Sequence, residues 1–181
     1  VLRGFGRSLN GAKTCDAVQF AAALREGAST AYKGGIKPVE GTILTVARES
    51  AEVAVAAAAS SPDLRFVLDQ AVHEARQSVA RTPSLLAVLA EAGVVDAGGQ
   101  GLFIILEGML RHLRGEQVTM DTELSAAVHL NAPSPVGEEG YGYDIQFIIR
   151  GEALDVDEIR NTIASMGDSA LVVGDTHTIK V

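Results

Sequence analysis

Apolar residues recur every three to four positions through most of residues 1–115, a spacing that leaves few folds open besides a helical bundle. The clearest segment is residues 16–33, where this spacing places apolar side chains on one face of a helix. Similar patterns predict helices over residues 42–60 and 63–80 and a short helix over 82–91. A fifth helix is predicted to start at Gly98 or Gly99 and to continue over 102–113. Five helices with short loops predict an antiparallel bundle.

Residues that commonly start or end helices flank these segments. Thr14 or Asp16 is predicted to cap the first helix, which ends at the glycine pair 34–35. Asp63 is predicted to cap the third. Pro83 suits the first turn of the short helix, because its missing N–H costs nothing there.

The character of the chain changes after residue 115. Residues 116–140, which contain two prolines and two glycines between 131 and 140, are predicted to form a linker. Residues 141–181 then predict a small βαββ module, with strands over 143–150, 170–173 and 178–181 and a helix over 155–166. In that helix the inward side chains are expected to be Leu154, Ile159, Ile163 and Met166. The predicted fold is therefore a helical domain (1–115) followed by the start of an α/β domain (141–181).

Charge and composition exclude several classes of protein. Residues 116–181 contain 12 acidic and 3 basic residues, and residues 1–115 are nearly neutral, so binding to nucleic acid or an anionic membrane is not expected. No uncharged apolar stretch is long enough to predict a transmembrane segment. Cys15 is the single cysteine, which fits a reducing cytoplasm.

Two glycine-containing loops precede predicted helices and are the best candidates for a ligand site. In the first, Gly41 and Thr42 stand at a helix start, where free N–H groups and a partial positive charge favour an anion. In the second, Gly98 and Gly99 would let a ligand approach the backbone, and Asp96 could hold a hydroxyl or an amine. The simpler interpretation is that Thr42 caps a helix and the glycines form tight turns. Neither loop has the Walker or Rossmann pattern.

The sequence around these loops resembles one family. Residues 37–46 and 91–108, together with 141–147, 166–169 and 172–175, are similar to the catalytic subunit of bacterial fatty-acid kinase. Its first domain is in turn similar to the L subunit of dihydroxyacetone kinase. The resemblance spans essentially the whole chain and implies an all-helical barrel that binds ATP at one end, here in incomplete form.

The resemblance implies a kinase that phosphorylates a fatty acid held by a separate lipid-binding protein. Gly41, Thr42, Asp96, Gly98 and Gly99 would then lie at the nucleotide end, and Glu40 would support them or be merely exposed. The family holds Mg²⁺ through an Asp-Gly-Asp-Thr-Gly-type motif, which is absent from this sequence. We therefore expect a fragment that is inactive by itself, since phosphoryl transfer depends on Mg²⁺.

The middle domain of the family carries a metal site formed by a Cys and a His-x-His pair. Asp144 occupies the Cys position, and Asp can bind zinc or a harder cation, although an ordinary polar strand residue is the simpler interpretation.

Two alternatives remain open at this level. One is a scaffold without chemistry that docks a lipid-carrying partner; the other is a dihydroxyacetone-type kinase of a small substrate, against which the middle-domain resemblance argues. An incomplete barrel would also expose apolar side chains, which predicts a homodimer or swapped assembly that covers them. The residues expected to be exposed in this way are Phe20, Leu24, Ile104 and Leu106.

Overall fold

A computed structural model describes residues 1–34, 38–116, 145–167 and 170–181. These residues fall into two compact units. The first includes residues 1–31 and 39–116, and the second includes residues 145–167 and 170–181. The predicted linker, apart from Glu116, lies outside the described residues.

Six helices precede residue 117 in the described chain, in agreement with the predicted helical domain. They are α1 (Leu2–Leu9), α2 (Ala17–Gly34), α3 (Ile43–Ser60), α4 (Leu64–Leu85), α5 (Ala87–Ala92) and α6 (Ala97–Leu113). Helix α1 was not predicted from the sequence. It packs against α2, where the rings of Phe5 and Phe20 meet edge to face with centroids 5.8 Å apart.

Small side chains dominate the core of the helical unit. Helix α3 packs against both α4 and α6, and α4 packs against α6. Alanines allow these helix axes to approach closely, and a few larger residues fill the remaining space. The buried core includes Phe20, Leu24, Val46, Ala47, Ala51, Ala54, Val67, Leu68, Ala71, Ala75, Leu102, Phe103 and Leu106.

Side-chain caps start several of the helices where the sequence predicted them. The carboxylate of Asp16 accepts a hydrogen bond from the N–H of Gln19 at 2.8 Å, and the Gln19 side chain accepts one from the N–H of Asp16 at 3.1 Å. This reciprocal pair is a capping box. Asp63 caps α4 by accepting from the N–H of Arg65 at 2.9 Å.

The prediction that a new helix starts at Pro83 was wrong, because α4 continues through this proline to Leu85. A proline inside a helix leaves the carbonyl four residues earlier without its N–H partner. That carbonyl belongs to Val79, and the buried hydroxyl of Thr82 donates to it at 2.7 Å. The break comes instead at Leu86, and the short α5 follows.

The second unit is a small antiparallel sheet with one helix. Its strands β1 (Ile148–Arg150), β2 (Val173–Gly174) and β3 (Thr178–Lys180) have the order β1-β3-β2, and Ile149 pairs with Ile179. Helix α7 (Val156–Ala164) begins after Asp155, which accepts from the N–H groups of Asp157 and Glu158. The strands are shorter than predicted over the described residues, but the βαββ order is confirmed.

Two expectations about exposure were wrong. Met166 lies beyond the end of α7 and is 75% exposed, so it does not face inward. Of the four apolar residues expected to be uncovered in the helical unit, Phe20, Leu24 and Leu106 are buried and only Ile104 is exposed. Packing between the helices of this unit therefore covers three of the four positions. None of the helices in the described residues combines the length and apolar character needed to cross a bilayer.

Candidate functional site

The first glycine loop ends at the start of α3, where Thr42 is the N-cap. Its Oγ1 accepts a hydrogen bond from the N–H of Leu44 at 3.3 Å and donates to the carbonyl of Val39 at 2.8 Å. Capping of this kind satisfies one of the N–H groups that a helix leaves without an internal partner. The interpretation of Thr42 as a cap is confirmed, and its side chain remains half-buried at the surface.

Gly41 requires glycine for two physical reasons. Its φ of 81° lies in the left-handed region, which L side chains rarely adopt. A Cβ at this position would also lie 2.8 Å from the Cβ of Leu86 and 3.0 Å from the carbonyl oxygen of Thr82. The loop before α3 is thus pressed against the C-terminal end of α4.

The second glycine loop ends at Asp96, which is the N-cap of α6. The Asp96 carboxylate accepts from the N–H of Gly99 at 2.6 Å, and the Asp96 N–H donates to Oγ1 of Thr82 at 3.0 Å. The helix starts at Ala97, one residue before the earliest predicted start, because Asp96 supplies the cap.

The starts of α3 and α6 lie directly against each other. A Cβ on Gly98 would lie 3.2 Å from the Cβ of Ile43, and a Cβ on Gly99 would lie 2.8 Å from Cγ2 of Val46. Gly99 is buried in this contact, whereas Gly98 is exposed. Absence of a side chain at Gly99 is therefore what allows the first turns of the two helices to touch.

All five predicted site residues consequently share one end of the helical unit. Thr82 connects the two loops, since its hydroxyl binds Asp96 and its carbonyl lies beside Gly41. Packing accounts for Gly41 and Gly99. Thr42 and Asp96 are half-buried and Gly98 is exposed, so these three can be reached from solvent.

A chain of polar contacts supports the first loop from within α3. The N–H of Gly41 donates to Oγ1 of Thr45 at 2.8 Å, and the Thr45 hydroxyl donates to Oε2 of Glu40 at 2.6 Å. Nη2 of Arg48 donates to the same oxygen at 3.1 Å. Glu40 is exposed but bound to these side chains, so the alternative that it is merely exposed was wrong.

Helix starts and acidic side chains meet at this end. Two helices begin here, and each helix start carries a partial positive charge and first-turn N–H groups. The negative charge of Asp96 is turned toward the N–H of Gly99, and that of Glu40 is engaged by Arg48.

Asp144, the candidate metal ligand for which an ordinary polar role is the simpler interpretation, lies outside the described residues. Within the described residues, no group of three or more His, Cys, Asp or Glu side chains is arranged to hold a metal ion.

Comparison with known proteins identifies the family. The DAK2 domain matches residues 1–111, and the FakA-like middle domain of fatty acid kinase matches residues 140–181. The chain belongs to the DAK2-domain family, and the match to the FakA-like middle domain follows the helical domain in the sequence.

Relatives are similar over the whole chain. Protein YloV of Bacillus subtilis is 38% identical over 194 residues, covering 100% of this chain and 35% of YloV. An uncharacterized protein of Staphylococcus epidermidis is 38% identical over 192 residues with the same coverage, and one of Staphylococcus aureus is 35% identical. The chain thus spans about a third of the length of these relatives.

Sequence reasoning missed two buried threonines that hold the site together. Thr45 and Thr82 are completely buried, and each binds a main-chain N–H of a loop residue. A signal existed for Thr82, because a hydroxyl just before a helical proline can replace the missing hydrogen bond. Thr45 gave no signal, since its partner becomes apparent only once the loop folds back over α3.

Proposed function

We propose that this chain forms one wall of the ATP site of a kinase subunit that phosphorylates a fatty acid held by a lipid-binding partner protein. The observation that carries the proposal is the order of the two family matches, a DAK2 domain followed by the FakA-like middle domain of fatty acid kinase. A DAK2 domain alone would leave a small-substrate kinase equally favoured.

The end of the helical unit formed by the starts of α3 and α6 is the place we assign to the ATP phosphates. Exposed backbone at Gly98 and the half-buried Thr42 are the groups that phosphate oxygens can reach. Gly41, Asp96 and Gly99 shape the surface, because they fix the loop and bring the helix starts together. Helix N-termini bind phosphate through main-chain N–H groups without requiring a basic side chain.

Phosphoryl transfer of this kind uses Mg²⁺ to neutralise charge on the phosphates. We assign no catalytic step to the described residues, among which no group of three or more His, Cys, Asp or Glu side chains could hold a metal ion. The role we propose for this chain is to bind and orient the nucleotide, with the carboxylates supplied by a segment outside the sequence.

Calorimetric titration with ATP and Mg²⁺ tests the proposal. We would titrate this chain beside a form extended upstream through the expected aspartate motif. Binding by the extended form supports the nucleotide site, and binding by neither form contradicts it in favour of a scaffold.

The substrate requires a second assay. The extended protein should convert a fatty acid, presented by its lipid-binding partner, to an acyl phosphate that hydroxylamine traps as a hydroxamate. Phosphorylation of dihydroxyacetone without such trapping would identify a small-substrate kinase instead. A cytoplasmic homodimer remains our proposal for the assembly, and sedimentation as a monomer at high concentration would contradict it.

A further inference from the structure

We infer that Thr45 is a positioning residue. By accepting a hydrogen bond from the Gly41 N–H, it fixes the loop that leads into α3 at the end assigned to the phosphates, and Glu40 and Arg48 hold its hydroxyl in place. This inference rests on the proposed function, because it concerns how the same site is set up. Thr45 itself is completely buried, so its action on a ligand must pass through the loop.

Hydrogen-bond directions fix the role of the hydroxyl. The N–H of Gly41 donates to Oγ1 of Thr45, so the single hydroxyl proton is available for Oε2 of Glu40. Such a chain, ending on a carboxylate, strengthens each of its bonds. The buried Gly41 N–H would have no acceptor if this hydroxyl were removed, and an unsatisfied buried N–H is costly.

The charge on Glu40 is restrained by the same arrangement. Nη2 of Arg48 donates to the oxygen that accepts from Thr45, and Arg48 also pairs with Glu49 at 3.4 Å and Glu52 at 3.5 Å. These pairs tie the carboxylate of the loop to the side of α3. A carboxylate held in this direction is kept from turning toward an anionic ligand at the helix start.

Two variants and one control test the inference in the full-length protein that carries this sequence. Thr45→Val removes the hydroxyl, and Thr45→Ser restores it. Ser50→Ala removes another buried hydroxyl of α3, which, among the described residues, bonds to carbonyls of its own helix at Val46 and Ala47. The titrated ligands are ATP, inorganic triphosphate and adenosine.

Thr45→Val should weaken the binding of ATP and triphosphate about tenfold, the upper range for loss of one neutral hydrogen bond, and leave adenosine binding unchanged. Thr45→Ser should bind like the wild type, as should Ser50→Ala. Equal loss of adenosine and ATP would show that Thr45 acts only on stability and would overturn the inference, as would unchanged ATP binding by Thr45→Val. A wild-type protein that binds neither ATP nor triphosphate would overturn the proposed function as well.

Discussion

Thr82 and Asp96 are joined by a hydrogen bond of 3.0 Å from the Asp96 N–H to the Thr82 hydroxyl, across the gap between α4 and α6. The same hydroxyl donates to the Val79 carbonyl that Pro83 leaves without a partner. One buried side chain therefore replaces a missing hydrogen bond of α4 and holds the N-cap residue of α6 in place. The candidate site depends on this end of α4 as much as on its own loops.

Gly41→Ala should destabilise the helical unit by about 2 kcal/mol, from the positive φ and the 2.8 Å contact with Leu86. Urea denaturation measures this loss. Gly108→Ala in α6 is the control, because a Cβ there meets no atom within 4 Å. That control should gain about 0.5–1 kcal/mol from helix propensity. Equal stability of the two variants would contradict the close packing of the loop.

Gly99→Ala should lose about 1–3 kcal/mol, since the new methyl group overlaps Cγ2 of Val46. Val46→Ala should also be destabilising, because Val46 is completely buried. The double variant should lose less stability than the sum of the two single losses, because truncating Val46 removes the overlap with the new methyl group. Strict additivity of the two losses in denaturation experiments would argue against contact between the starts of α3 and α6. Gly101→Ala serves as the control, because a Cβ there meets no atom within 4 Å.

Asp96→Ala should cost about 1 kcal/mol through the lost helix cap, and Asp63→Ala at the start of α4 should cost a similar amount. Only the Asp96 variant should also weaken ATP binding, because Asp96 fixes the start of α6 at the proposed phosphate end, whereas Asp63 caps α4. Thermal denaturation and ATP titration of both proteins provide the comparison. Equal ATP affinity in the two variants would restrict Asp96 to a capping role.

Acid should destabilise the protein partly through Glu49, which pairs with Arg81 of α4 at 2.7 Å. Burial raises the pKa of Glu49, but Arg81, the nearby Ser78 hydroxyl and Arg48 outweigh this effect and hold the pKa below the ordinary value of 4.5. Ser78 Oγ completes no hydrogen bond within the described part of the chain, so we attribute the lowering chiefly to Arg81.

Because the pKa of Glu49 is lower in the folded state than in the unfolded state, its contribution is complete above pH 4.5 and is lost as pH falls. Glu49→Gln should therefore be less stable than the wild type at pH 7 and approach it in acid. Denaturation midpoints across this range measure the difference. Glu52→Gln, whose carboxylate is 64% exposed, should change stability little and is the matched control.

The sequence predicted where the helices lie and that the chain has two parts. Apolar spacing, capping residues and glycines that end helices are local signals, which can be recognised without the tertiary structure. Thr42, Asp16 and Asp63 cap the helices that they precede, as their residue types predict. The loops containing Gly41 and Asp96 were also recognisable, both from glycine at helix starts and from family resemblance.

Only the tertiary structure decided how these loops meet. Contacts between Gly99 and Val46, or between Thr82 and the loops on either side of it, join residues far apart in the chain. Which apolar residues are covered was equally undetermined, so Phe20 and Leu106 proved buried while Ile104 did not. The spacing of apolar residues predicts that a helix has an apolar face, but the neighbouring helices determine how much of that face is covered.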